Sequence, residues 1–318
     1  MSSHGTQRYP RAVRIAVWAA LALGIGLACS SDSTPVSDTG PVDGRADGIG
    51  PLDAAPDTSG QPDGSDDAGS EPAVAWAKGY GGPGHDSGAA IAVDSSGNIY
   101  LVGNYGDDID LGGGTIAHAG LKDLSVASYT ADGTHRWSQG FGNSENDVGA
   151  DIAVDPDGNV FVTGFFRQTV NFGGAELASS GDREIFVASF TSAGAHRWSK
   201  GFGNTNLDAG HSITVDPDGN VYVSGSFVES VDFGGGEITG DAGGASHFLA
   251  SFDSAGGHRW SEKAAGPAAL ATDGASNLYL GGTSNEGLTF ASVTSAGVSR
   301  WSKTFSWSGG SVAALATD

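Results

Sequence analysis

The feature that most constrains this chain is an internal repeat. Trp76, Trp137, Trp198, Trp260 and Trp301 are separated by 61, 61, 62 and 41 residues. Self-similarity at a fixed period means one supersecondary unit per period, stacked on its neighbours to bury a core that no single unit could bury alone. The same phrases recur around each Trp. Asp86–Asp94, Asp147–Asp155 and Asp208–Asp216 all read Asp-x-Gly-x-x-Ile-x-Val-Asp. A turn and a β-rich run follow as SSGNIYLVG, PDGNVFVTG and PDGNVYVSG, then IDLGGG, VNFGGA and VDFGGG. Each copy ends in a hairpin pattern: SVASYTADGTHRWSQGFG, FVASFTSAGAHRWSKGFG and FLASFDSAGGHRWSEK. Residues 266–303 give a fourth copy without the Gly-Gly segment, which accounts for its shorter period. Residues 311–318, SVAALATD, begin a fifth.

The alternating runs IAVD and NVYV, joined by a Gly-containing turn, predict a hairpin. FVASF and HRWSKGF predict a second, turned at Gly133, Gly194 or Gly256. Four short strands per copy make one propeller blade. The fold class is all-β: a β-propeller of about four full blades plus terminal half-blade pieces. Ile91, Val93, Val160, Val162, Val221, Val223 and the Trp residues are expected to fill the layers between blades. VAWAKGY at 74–80 matches a blade's last strand and 312–318 matches a first strand. The ring is therefore expected to be open, closed by its two ends, or truncated at Asp318.

These phrases resemble the bacterial SBBP-type β-propeller repeats, which are similar to NHL-type blades. The resemblance covers most of residues 74–318. It implies a propeller in secreted or surface proteins and implies no single activity. The hairpin ASFDSAGGHRW at 250–260 also resembles the tryptophan-docking repeat of quinoprotein propellers, but the calcium and quinone ligands of those enzymes have no counterparts here.

Residues 1–28 read as a signal peptide. Arg8, Arg11 and Arg14 precede an apolar run of 14 residues, Ile15–Ala28, too short for a comfortable membrane span of about 20. Gly26-Leu27-Ala28-Cys29 resembles the lipobox of bacterial lipoproteins, with Leu27 one place closer to the Cys than usual. The resemblance implies lipidation of Cys29, the chain's only cysteine. Residues 29–72 are rich in Ser, Asp, Pro and Gly and lack aromatics, so they read as a disordered tether spanning roughly 35 Å. Residues 73–318 form the repeat domain.

The formal net charge is −22, of which −16 falls in residues 73–318. Such a surface repels phosphate backbones and argues against nucleic-acid binding. The expected location is the cell envelope, at the outer membrane or cell surface. The expected partners are the membrane, through the lipid, and a protein or glycan ligand.

Asp155, Asp157, Asp216 and Asp218 are weak calcium candidates. In the EF-hand order Gly stands sixth and a bidentate Glu twelfth, whereas here Gly stands fourth and no such Glu follows. A turn in which Asp binds its own backbone is the simpler reading. His135, His196 and His258, each followed by Arg, recur before Trp, and are expected at a solvated strand position with Arg on Trp or an acid. Asp86, Asp147 and Asp208 are expected to cap the turn leading into the first strand. The singletons His85, His118, His211 and His247 lack an obvious partner in sequence. No cofactor is expected, and no nucleophile elbow, zinc-protease or phosphate-loop motif occurs. The leading expectation is a non-catalytic envelope scaffold, with residues 103–122, 164–183 and 225–247 as candidate binding loops. The alternatives are a glycan-cleaving or quinoprotein-like enzyme, which requires non-repeated carboxylates converging at the channel mouth, and an assembly-factor-like propeller lipoprotein.

Overall fold

The computed structural model describes residues 76–266, 268–284, 287–306, 312 and 314–317. The signal peptide, Cys29 and the tether lie outside the described residues. Among those described there is no α-helix.

Blade 1 holds β1 (Ser87–Val93), β2 (Ile99–Tyr105), the short hairpin β3 (Ile109–Asp110) and β4 (Thr115–Ile116), then β5 (Asp123–Tyr129) and β6 (His135–Phe141). Blade 2 repeats the order with β7 (Val148–Val154), β8 (Val160–Phe166), β9 (Thr169–Val170), β10 (Leu177–Ala178), β11 (Glu184–Phe190) and β12 (His196–Phe202). Blade 3 holds β13 (Ala209–Val215), β14 (Val221–Val228), β15 (Ser230–Asp232), β16 (Glu237–Thr239), β17 (Ala245–Phe252) and β18 (His258–Ala264). Blade 4 has β19 (Ala268–Thr272), β20 (Leu278–Ser284), β21 (Gly287–Val293) and β22 (Ser299–Phe305), with no extra hairpin. Each blade is an antiparallel four-stranded meander. The first strands β1, β7, β13 and β19 lie in consecutive contact and form the inner edge.

The middle strands read as nearly continuous apolar runs because each blade is sandwiched. In β8, Val160 and Val162 join the core shared with blade 1, while Phe161 joins the core shared with blade 3. In β11, Phe186, Ala188 and Phe190 face one way and Ile185 and Val187 the other. Side chains alternate across a strand, so a sheet covered on both faces needs apolar residues at every step.

Neighbouring blades are stapled by tryptophan. The indole N–H of Trp137 on β6 donates to Ser192 O in the β11–β12 turn of the next blade, at 2.9 Å. Trp198 does the same to Ser254 O at 3.0 Å, and Trp260 to Ser295 O at 2.9 Å. Trp76 donates to Ala131 O in blade 1 at 2.9 Å, so residues 76–80 occupy the place of a preceding blade's outer strand. Gly194, at φ 82°, closes the receiving turn, and a Cβ there would run into the Trp137 ring. Glycine therefore serves both the left-handed turn and the close approach of the ring.

One expectation about the layers is corrected. Ile91 and Val93 fill no layer: they are 45% and 57% exposed. Their repeat mates Ile152, Ile213 and Leu270 are 4%, 4% and 7% exposed. The sequence position is the same, but no blade covers the outward face of blade 1 among the described residues. At the other end, Thr317 Oγ1 donates to Thr272 O at 2.5 Å. Thr272 Oγ1 donates in the same way to Val215 O at 2.8 Å. Val312 and Leu315 meanwhile lie against Gly281. The described part of 312–317 thus packs on blade 4 much as blade 4 packs on blade 3.

Candidate functional site

The repeated polar residues are absorbed by the blades. Asp216 Oδ1 accepts the backbone N–H groups of Asp218 and Asn220, and its Oδ2 accepts Asn220 Nδ2 and Tyr222 Oη. Asp155 holds Asn159 through both of its oxygens, at 2.8 Å each. Asp94 and Asp273 hold their turns in the same way, and hydrogen bonding lowers both carboxyls despite an opposing contribution from burial. Asp157 is exposed, and Asp218 Oδ2 accepts Ser276 Oγ from blade 4 at 3.0 Å. Among the described residues, no three carboxylate, His or Cys side chains stand close enough to share an ion.

The reading of the His-Arg pairs is corrected. Arg136 lies over the Tyr100 ring, 5.6 Å from its centroid, and Arg197 over Phe161 at 5.7 Å, rather than on Trp. Each also donates to a serine of its own blade, Ser128 or Ser189. The three His residues are half-buried rather than solvated. His135 Nε2 pairs with Ser138 Oγ at 3.0 Å, and the ring packs under the Gly-Gly segment of the β3–β4 hairpin, where a Cβ on Gly113 would collide with it. His196 and His258 meet Gly174 and Gly235 in the same way. Blade 4 lacks the hairpin and carries Ser299 in place of the His. The hairpin and the imidazole are therefore two halves of one contact. These hairpins occupy the candidate loops 103–122, 164–183 and 225–247, and their Ile109, Val170 and Val231 are buried.

Asp147 and Asp208 are fully buried at the start of the inner strands. Asp147 accepts the N–H of Asn143 at 2.8 Å and that of Arg167 at 3.0 Å; Asp208 accepts those of Asn204 and Val228. Asp86 accepts Gly82 N. Each ties the turn before the first strand to the end of the second. Burial pushes the Asp147 carboxyl up to about 6, with the charges of Asp123 and Glu145 adding to it. Sequence reasoning missed the Asn143 and Asn204 clamps, whose Nδ2 atoms each donate to two carbonyls flanking the left-handed residues Gln168 and Glu229. The recurring Phe-Gly-Asn of 141–143 and 202–204 was the available signal.

What remains for function is the channel and its mouth. The inner strands enclose a cavity of about 610 Å³ lined mainly by small and apolar residues. Among the described residues its one carboxylate is Asp151, which stands where blades 1 and 3 have Ala90 and Ser212. Asp151 Oδ2 accepts Ser212 Oγ at 3.0 Å and Ile213 N at 2.9 Å, clamping blade 2 to blade 3. Burial raises its carboxyl despite these bonds. Strands β1, β7 and β13 carry the same bulge, after Gly88, Gly149 and Gly210. The extra residue is Ala89, Ala150 or His211, so a single imidazole enters the channel from the bulges. The structure brings together two of the His singletons: His211 Nε2 lies 3.3 Å from Ser226 Oγ, and His247 stands opposite Ser226 in the β14–β17 ladder. His118 packs edge-on against Tyr105, and His85 lies beside Gly106, both away from this pair.

The family model for the SBBP β-propeller repeat matches residues 75–104, 136–164 and 198–226. Each match starts at a docking Trp strand and runs through the first two strands of the following blade, so the sequence unit straddles two structural blades. The chain therefore carries three SBBP propeller repeats on an all-β propeller scaffold. It is similar to the uncharacterized WD repeat-containing protein L264 of Acanthamoeba polyphaga mimivirus, 23% identical over 194 residues, covering 50% of this chain. The match spans 14% of that relative's length. A solved structure described as "Structure of Dos1 propeller" aligns at 9% identity with a TM-score of 0.30, over 69% of this chain and 73% of that one.

Proposed function

We propose that this protein is a non-catalytic scaffold of the cell envelope, lipid-anchored at Cys29, whose propeller stands off the membrane on residues 29–72 and binds a protein or glycan. One observation carries the non-catalytic part: the recurring Asp, His, Arg and Trp side chains are engaged in turns and blade contacts, and among the described residues the channel holds one carboxylate, Asp151, itself tied to backbone. Hydrolysis of a glycosidic bond by a carboxylate pair needs a second acid across from the first. Propellers place ligand sites on variable residues of a rigid frame, and here the non-repeated residues gather at the channel mouth between blades 2 and 3. The anchor and tether rest on the lipobox resemblance and the composition of residues 1–72.

Fractionation tests the anchor. The full chain should sediment with membranes and the Cys29→Ser chain should be released; retention of the variant would remove the anchor. Affinity capture from an envelope extract tests the binding role. The wild-type chain should recover a partner that a chain with Ser226 and His211 replaced by Ala recovers less of.

A further inference from the structure

The junction of blades 2 and 3 carries one guanidinium beside two imidazoles in a chain of net charge −22. Arg183, just before β11, lays its guanidinium over the Phe165 ring at 4.8 Å. The ring covers one face of the cation and fixes its plane. Among the described residues, Arg183 makes no ion pair, because the nearby acids are turned elsewhere. Asp182 pairs with Arg167 at 2.7 Å, Glu184 Oε1 accepts Ser180 N, and Asp208 accepts backbone N–H groups on both oxygens.

Buried polar groups without partners gather here. Five side-chain atoms among the described residues are buried with no hydrogen-bond partner, and two of them are Arg183 Nε and His247 Nδ1. His211 lies near both: partial desolvation and the neighbouring His247 and Arg183 suppress its ionisation. A buried donor or acceptor left unpaired is unfavourable. Blades 1 and 2 do not reproduce the cluster. They have Ala89, Asn104 and Leu124, or Ala150, Phe165 and Ile185, where blade 3 has His211, Ser226 and His247.

Of these residues Arg183 and Ser226 open onto a groove of about 810 Å³, lined also by Leu207, Val228, Glu229 and the 239–245 segment, whereas His211 lines the channel. Its volume falls within the roughly 300–1,000 Å³ usual for small-ligand sites. Gly243 and Gly244 lie in its lining, and a Cβ on either would meet open space. Of the acids there, Asp241 is held by Lys263 at 2.5 Å, and Glu229 is exposed on the lip.

We propose that this groove binds a small carboxylate ligand, gripped by the planar edge of Arg183, with Ser226 as a flanking hydrogen-bond partner. A guanidinium whose plane is preset matches the two oxygens of a carboxylate. This site deepens the scaffold reading and rests on it.

The test is titration of the full chain with D-glucuronate, followed by calorimetry and by backbone NMR, with D-glucose and methyl glucuronate ester as uncharged controls. Glucuronate should bind, and the controls should bind at least about tenfold more weakly. Arg183→Gln should remove binding and Arg183→Lys should weaken it severalfold. Lys122→Gln, at the matching position one blade earlier, should leave it unchanged. Ser226→Trp, which fills the groove and leaves Arg183 itself unchanged, should also abolish binding and covers the case in which Arg183→Gln unfolds. Equal affinity for the controls, unchanged binding by Arg183→Gln and Ser226→Trp, or no binding at millimolar glucuronate would overturn the proposal. If glucuronate fails while envelope capture still recovers a partner, the carboxylate site falls and the scaffold reading stands.

Discussion

The indole N–H of Trp137 donates to the carbonyl oxygen of Ser192, 55 residues further along the chain and one blade further round, at 2.9 Å. The same bond recurs at Trp76, Trp198 and Trp260. It turns a row of separate meanders into a stack in which each outer strand holds the next blade's outer hairpin.

Trp301 has no such acceptor among the described residues and touches the Tyr279 ring of its own blade. Trp137→Phe keeps an aromatic ring but loses the bond, and should cost about 1–2 kcal/mol. Trp301→Phe should cost well under 1 kcal/mol. Urea unfolding of the two variants, with fits of midpoint and slope, measures the difference.

Ile91 and Ile152 hold the same repeat position with opposite environments, 45% against 4% exposed. Ile152→Ala opens a cavity between blades and should cost about 2–5 kcal/mol, whereas Ile91→Ala should cost less than about 1 kcal/mol. Equal losses in thermal unfolding would mean that blade 1's outward face is covered.

Gly113 and His135 should behave as a coupled pair. Gly113→Ala drives a methyl group into the imidazole and should destabilise the domain by about 1–3 kcal/mol. His135→Ala makes room for it, so the double variant should be more stable than the sum of the single losses, with a coupling of about 1 kcal/mol or more in a double-mutant cycle.

Stability should fall as pH rises from about 4 to above 6. The folded Asp147 carboxyl titrates at about 6 against 3.8 for an ordinary Asp. Between those values the native state holds a proton that the unfolded chain has released, so the contribution is favourable at low pH and lost as pH passes 6. Burial shifts Asp123, Asp151 and Asp208 in the same direction. Unfolding free energies at pH 5 and pH 8 should differ by on the order of 1–3 kcal/mol. Asp147→Asn should flatten the slope while lowering stability overall, because its amide nitrogen faces a backbone N–H.

Much of the fold was legible because a repeat reports its own register. The β-rich runs, the Gly133, Gly194 and Gly256 turns and the spacing of Trp could all be aligned by eye, and each alignment fixed a strand. Three things were not legible. Ile91 looks identical to Ile152 in sequence, and only the presence or absence of a neighbouring blade separates them. The His135 and Gly113 contact joins two recurring phrases whose shared absence from blade 4 was visible, but whose meeting depends on how the hairpin folds back. Arg183 precedes β11 while His211 and His247 sit on two strands of the next blade, and His211 reaches the channel only through a bulge after Gly210. Periodicity exposes what repeats and leaves such single-copy clusters hidden.

The most direct test of the stapled-blade architecture is hydrogen exchange at the tryptophan indoles, read by NMR on chain labelled with ¹⁵N-Trp and assigned by single Trp→Phe changes. Trp76, Trp137, Trp198 and Trp260 should give slowly exchanging indole N–H signals, with Trp301 exchanging fast. Uniformly fast exchange at all five would contradict it.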